Sequence, residues 1–571
     1  MDKVTWLGSL QIFIVLACVL AVAVPLGGYL YRVFAGQRNF LERVYAPCEK
    51  MIYKVSGINP SVEMDWKAYI RSLLWVNFIM ALFVFLILRL QGILPMNPDH
   101  MKSLPWDLSF NTAASFVTNT NWQNYGGEMT MSYLSQTLAL TFLQFTAAAT
   151  GLAAAFGFIR GIIARKSKNM GNFWVDFIKA HTRILIPGAI VLSIVFIGQG
   201  MPQTFQGAQT VHTVQGAVQT ISRGPIASME AIKELGTNGG GFLNANSTHP
   251  FENPSVLTNI LQIITLLSLP TASLFAFGRF LKNRKQSYVL YAALAGLLLI
   301  GTFVIYWGET AGNPILQKVL GITGTNMEGK DVRFGLPLSS LFTAATTATS
   351  TGAVNMMHDS LTPIGGFIPL LFMMFNVVFS GVGVGLINII MYLIITVFIA
   401  GLMVGRTPEI FGKKIEAREI KLATFSLLVH PILILIPTAI ALMTHVGTAS
   451  ILNPGSHGFT EVLYAFTSTA ANNGSAFGGL SGNTPFYNII LGVVMLLGRY
   501  VTLIAMFAVA GSLAAKPHIP ESVGTLKTDT FVFSGVFVVI TVIVGALTFF
   551  PALAIGPIGE QLQMWSGLLS K

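Results

Sequence analysis

Four short clusters of Thr, Asn, Ser and Gly hold the residue types best suited to chemistry in this sequence. They are Thr118-Asn119-Thr120-Asn121-Trp122-Gln123, Gly236-Thr237-Asn238-Gly239-Gly240-Gly241, Ser350-Thr351-Gly352-Ala353 and Asn472-Asn473-Gly474-Ser475. With Asn121, Gly239, Gly352 and Gly474 taken as equivalent, the spacings are 118, 113 and 122 residues. One such cluster would be an ordinary turn, because these residues favour turns. Four at near-equal spacing, each behind a semi-apolar segment, form an internal repeat. Glycine permits unusual dihedrals and close approach of backbones. The freed carbonyls can then replace the hydration shell of a monovalent cation, as in potassium filters. Short helices running into the clusters would aim their C-terminal dipole ends at the centre, which also favours a cation. No carboxylate lies within any cluster, which argues against a divalent-selective acidic ring.

Such loops need a particular setting. Non-helical backbone is tolerated at membrane depth only where it is buried in protein or lines a water-filled cavity. The 571-residue chain is 53% hydrophobic and only 10% charged, against about 25% charged residues in soluble proteins. That excludes a soluble globular protein and a disordered one. Two cysteines, Cys18 and Cys48, exclude a disulfide scaffold. Ten apolar stretches reach spanning length, about 20 residues: 5–31, 72–94, 131–163, 184–200, 256–278, 287–307, 365–405, 422–445, 486–515 and 530–556. Segments 32–71, 160–183, 279–285, 406–421 and 516–527 fall on one side and hold 24 of the 34 Lys and Arg residues. The positive-inside rule puts them in the cytoplasm. Both termini and the four cluster-bearing connectors then face outward. The net charge of +11 is therefore topological, not a signature of nucleic-acid binding. Trp6, Trp66, Trp75, Trp174 and Trp307 fall near span ends, as an interfacial belt would. The first span reads as an uncleaved helix despite Val15-Leu16-Ala17-Cys18, because the apolar run continues past Cys18 through Pro25.

The predicted fold is an all-α polytopic membrane protein with four pseudo-fourfold helix–pore-loop–helix repeats. The repeats fall at 67–165, 179–283, 286–405 and 421–515, and segments 1–66 and 528–571 add one span at each end. The run 365–405 is twice too long for one membrane crossing, about 60 Å as a straight helix. Its middle reads Ser380-Gly381-Val382-Gly383-Val384-Gly385, and such glycines disfavour helix. A gating loop below the clusters is expected there, the alternative being a kinked, tilted helix. Arg499 lies mid-span, where a charge costs about 2.5–3.5 kcal/mol on insertion scales, so it should face the protein interior. Arg406 sits at a span end and reads either as an interfacial anchor or as a coupling residue. Arg89 can snorkel. No phosphate-binding Gly-x-x-x-x-Gly-Lys-[Ser/Thr] motif or Asp-Lys-Thr-Gly-Thr run occurs, and the nine histidines are scattered without metal-ligand spacing. The chain by itself is not expected to hydrolyse ATP or to carry a cofactor. An intramembrane enzyme would need paired carboxylates or a His and carboxylate cluster at membrane depth, and the sequence displays none.

The four clusters, extended to Ala348-Thr349-Ser350-Thr351-Gly352-Ala353-Val354-Asn355 and Ala471-Asn472-Asn473-Gly474-Ser475-Ala476-Phe477, together with the loop from Gly405-Arg406-Thr407-Pro408-Glu409 to Lys421, resemble the superfamily of potassium transporters. Within it the whole chain, extra spans included, resembles the KdpA family. The resemblance implies a potassium filter formed by Thr118, Asn119, Thr120, Asn121, Gln123, Thr237, Asn238, Gly239, Gly240, Ser350, Thr351, Gly352, Asn472, Asn473 and Gly474. It implies gating or coupling roles for Gly381, Gly383, Gly385, Arg406 and Arg499. It also implies uptake of potassium from outside, an intramembrane tunnel to the P-type ATPase subunit KdpB, and the small partners KdpC and KdpF in a bacterial inner membrane. The first repeat departs from the others by placing Asn121 where they have glycine. The competing reading is a stand-alone Trk/Ktr-like potassium channel or transporter subunit.

Overall fold

The computed structural model describes residues 4–520 and 525–567. Ten helices among them are long and apolar enough to cross a membrane. They are Trp6–Phe34, Trp66–Ile93, Ser135–Ile163, Phe173–Gly198, Val256–Phe280, Arg284–Leu320, Val384–Met403, Ala417–Met443, Pro485–Ala514 and Phe531–Ser566. Two start well before their apolar runs, because capping and ion pairs carry the polar first turns. Asp65 accepts from the Ala68 amide at the head of the second span. Asn172 caps the fourth, whose first turns hold Asp176 bound to Arg160 and Tyr69, and Arg183 bound to Glu49.

The run 365–405 is two helices. Pro363–Phe375 ends at Asn376, which is left-handed with φ 47°, and a new helix starts at Val384. The break has a steric cause. Gly383 has φ +80°, and a Cβ on it would lie 2.0 Å from the Gly151 carbonyl oxygen. Only glycine lets the loop press this closely on the third span.

Each repeat contributes a pore helix between its two spans: Trp106–Val117, Ile226–Leu235, Gly335–Ala348 and Gly455–Ala470. Nearly every side chain on these four helices is buried. The second span of repeats one to three forms the centre, with 89%, 83% and 78% of its apolar window buried. The corresponding helix of the fourth repeat, Pro485–Ala514, is only 44% buried in this chain. The first span packs along Val256–Phe280 at Gly27, where a Cβ would sit 2.7 Å from the Phe275 Cβ. Among the described residues, the only sheets are two small hairpins, Gln209–His212 with Val218–Ile221 and Glu409–Ile410 with Lys413–Lys414.

Candidate cation site

Each pore helix ends immediately before its polar cluster, and the same backbone trace follows four times. Two left-handed residues flank one ordinary residue. The pairs are Asn119 (φ 63°) and Asn121 (57°), Thr237 (47°) and Gly239 (87°), Ser350 (48°) and Gly352 (88°), and Asn472 (54°) and Gly474 (101°). Asn tolerates this region and Gly is at home in it, whereas β-branched Thr237 is held there under strain. Asn121 follows the trace of the glycines it replaces.

The four segments close into a ring. A Cβ on Gly239 would meet the Thr351 carbonyl oxygen at 1.9 Å, one on Gly352 the Asn473 carbonyl oxygen at 2.1 Å, and one on Gly474 the Thr120 carbonyl oxygen at 2.0 Å. These contacts link repeats two to three, three to four and four to one. The remaining seam is made differently, because Asn121 has a side chain. Its Oδ1 and the Gly240 carbonyl both accept from Gln144 Nε2, at 3.1 and 2.7 Å. Gln123 adds a reciprocal pair to Gly241 across the same seam, both at 3.0 Å.

Side chains stiffen the ring in two ways. In repeats one and three, Thr hydroxyls pair within the segment: Thr118 with Thr120 and Thr349 with Thr351, each at 2.7 Å. In repeats two and four, Asn stands at the middle position. Asn238 Nδ2 donates to its own pore helix at Ile232 O (3.0 Å), and Asn473 Nδ2 to the third at Thr346 O (3.0 Å). Asn119 Nδ2 donates to the Thr237 carbonyl at 2.9 Å, and Asn472 Nδ2 to the Thr120 hydroxyl at 2.9 Å. All of the ring residues are buried except Gln123 and Gly474, which are half-buried.

Two cavities meet this ring from opposite faces. A wide vestibule is lined by Asn121, Gly239, Gly352 and Gly474, the second left-handed residue of all four repeats. A smaller cavity is lined by Asn119, Ser350 and Asn472, the first left-handed residue of three, together with Asn376, Ser380, Gly381, Gly385 and Arg499. The fourth first-position residue, Thr237, is engaged by the broken-helix loop, its hydroxyl accepting from the Val382 amide at 2.9 Å. Ser380 N donates to Ala348 O, and Ser380 Oγ donates to Asn376 Oδ1, both at 2.8 Å. Gly385 has the Ser380 carbonyl oxygen 2.0 Å from where a Cβ would be. Arg499 is buried and makes no ion pair among the described residues. Arg406 lies on an exposed loop after Val384–Met403 and does not line the cavity.

Sequence reasoning overlooked the support behind the ring. Asn246 Nδ2 donates to the Gly239 carbonyl at 2.7 Å, and its Oδ1 accepts from the Val354 amide at 3.1 Å, joining repeats two and three. Lys233 is fully buried on the second pore helix among Glu230, Glu234 and Glu252. Its Nζ reaches Glu230 and Glu252 at 2.9 Å each and Ser247 Oγ at 2.8 Å. Glu252 Oε2 also lies 2.6 Å from where a Cβ on Gly241 would be. The clue was available: charged residues at 230, 233 and 234 in a re-entrant segment have no water to face.

Comparisons with known proteins identify the family. The family profile "KdpA: Potassium-transporting ATPase A subunit" matches residues 13–562. A relative from Alicyclobacillus acidocaldarius is 62% identical over 557 residues, covering 98% of this chain and 99% of its own. Relatives from Geobacillus kaustophilus and Mesorhizobium japonicum are 50% and 51% identical, covering 97% and 98% of this chain and 99% of each relative. All three are described as the potassium-transporting ATPase potassium-binding subunit. Among solved structures, the potassium transporter TrkH from Vibrio parahaemolyticus superposes with a TM-score of 0.51 at 14% identity, over 88% of this chain and 98% of that one. That likeness concerns the fold alone. The match over nearly the whole length settles the family: this chain belongs to the KdpA family.

Proposed function

We propose that this chain is the potassium-binding and translocating subunit of an ATP-driven potassium uptake pump, seated in the bacterial inner membrane. The observation that carries the reading is a ring of four left-handed residue pairs separating a vestibule from a smaller cavity. Its lining is neutral, so the field on an ion comes from carbonyl, amide and hydroxyl dipoles. Such a field suits a weakly hydrated monovalent cation. The basic loops then face the cytoplasm and the vestibule faces outward, with both chain ends on the outer side.

Potassium sheds water into Thr118–Asn121, Thr237–Gly240, Ser350–Gly352 and Asn472–Gly474 and passes to the cavity. There the loop 376–383 lies across the way on, and the fixed charge of Arg499 opposes direct exit to the cytoplasm. The ion leaves sideways through an intramembrane tunnel to the P-type ATPase subunit KdpB, with KdpC and KdpF completing the complex. The Arg406 loop is exposed and positioned for coupling at the cytoplasmic face. Inward movement of one cation is favoured by about 2.3 kcal/mol per 100 mV, so ATP is needed only against steeper concentration gradients.

The test is potassium-stimulated ATPase activity of the co-purified complex, wild type against Gly239→Asp. The substitution forces a side chain onto the Thr351 carbonyl and should raise the potassium needed for half-activation by about tenfold or more. If no ATPase co-purifies and the chain alone passes potassium in liposomes, the stand-alone transporter is the correct reading. An unchanged potassium requirement would remove the second repeat from the filter.

A further inference from the structure

The histidines are scattered in sequence, yet the fold gathers one of them with three carboxylates at the rim of the vestibule. Asp359 lies in the turn after the third ring segment. His457 and Glu461 are one turn apart on the fourth pore helix, and Glu560 is on the helix Gly559–Ser566. His457 Nε2 is 3.0 Å from Asp359 Oδ1, and Nδ1 is 2.9 Å from Glu560 Oε1. One ligand atom from each of Asp359, His457 and Glu461 lies within 4.8 Å of the other two. Glu461 is fully buried; its Oε1 accepts from Asn453 Nδ2 at 2.6 Å, and its Oε2 has no hydrogen-bond partner. A buried carboxylate oxygen without a donor is costly, and a cation would satisfy it.

We propose that Asp359, His457 and Glu461 form a binding site for a borderline divalent cation of the Zn2+ class. One imidazole and two carboxylates, with water as a fourth ligand, suit zinc at about 2.0–2.2 Å from each donor. Glu560 accepts from Nδ1, which frees Nε2 for the metal and fixes the ring orientation. Asp359 lines the vestibule, and the side chains of His457 and Asp359 are 19% and 21% exposed, so water and ions reach them. The Phe477 ring stacks on the imidazole at 5.8 Å.

Bound zinc would add positive charge at the rim and join the third repeat, the fourth pore helix and, through Glu560, the C-terminal helix.

The experiment is equilibrium binding of Zn2+ alone to the purified, chelator-stripped complex. One zinc per chain is expected. Glu461→Gln and His457→Gln should abolish that binding. Glu560→Gln should weaken it about tenfold or more by releasing the ring. Asp359→Asn, on the partly exposed turn, gives the same reading as the first two if either buried-site variant fails to assemble. No bound zinc overturns the proposal. So does binding that survives all the ligand substitutions unchanged, because the metal then sits elsewhere.

Discussion

The second and third ring segments share one backbone trace but are held from behind by different chemistry. Behind the second, Lys233 is fully buried against Glu230, Glu252 and Ser247, with a fourth group, Glu234, at 3.8 Å. Behind the third lies the glycine-broken loop, held by neutral hydrogen bonds: the Ser350 and Ser380 hydroxyls donate to Asn376 Oδ1, and the Ser380 amide donates to Ala348 O. Hydrogen bonds to charged groups contribute about 1.5–3 kcal/mol each, and neutral ones about 0.5–1.5. The second segment is therefore clamped by charge-assisted bonds, and the third rests on a latch of weaker, neutral ones. Symmetry of the ring and asymmetry of its backing serve different ends. Under the function proposed above, the first would set the space for the ion, and the second would let one side open without dissolving the others.

The largest effect that would sharpen this contrast is Lys233→Met. Removing one partner of a buried ionic cluster leaves uncompensated carboxylates and costs about 3–5 kcal/mol. The yield of folded chain and the thermal unfolding temperature of the complex should both fall sharply. A variant of normal stability would mean that the clamp is not structural, and the comparison would fail. Next comes Gly352→Ala. A Cβ there would meet Asn473 O at 2.1 Å, at a residue whose φ is +88°. The pore helices and their buried faces are untouched, so the complex should still assemble. Its potassium-stimulated ATPase activity should rise only at potassium concentrations about tenfold or more above those for wild type. Loss of assembly instead would show that the ring is also a folding element.

Much of this was legible in the sequence, for identifiable reasons. Period and spacing exposed the repeats, because four clusters must meet at one axis. Glycines at alternate positions announced the break at 376–383, since the third span approaches too closely for a side chain. Asn121 was harder, because its equivalence to glycine depends on a left-handed conformation that a sequence does not display. The backing groups were missed for another reason. Lys233, Gln144 and Asn246 act through contacts with other segments, and a linear reading weighed each only against its neighbours. His457 and Glu461 stand one turn apart on one helix, but their partner Asp359 comes from another repeat, 98 residues from His457, so the cluster exists only in the fold. Span starts at Trp66 and Phe173 were hidden because hydropathy discounts first turns whose charges are paired.

The smallest effect tests the latch itself. Asn376 is left-handed, and its Oδ1 accepts from both Ser380 and Ser350, at 2.8 and 3.3 Å. Asn376→Ala removes both bonds and also strains the backbone at φ 47°. The loss is about 1–2 kcal/mol, two neutral hydrogen bonds of which one is long. That is too little to unfold a membrane domain of this size, but it shifts a two-state loop about tenfold toward release. The unfolding temperature should stay close to wild type while the loop becomes more accessible. A single cysteine placed at Ser380 reports this directly, by its rate of modification with a small thiol reagent in the assembled complex, with Asn376→Ala against wild type at that position. The clamped side supplies the control, because a cysteine at Ser247 should remain unreactive in both. Equal rates at Ser380 would show that the third segment is as firmly held as the second, leaving Gly383 against Gly151 as the contact that fixes the loop.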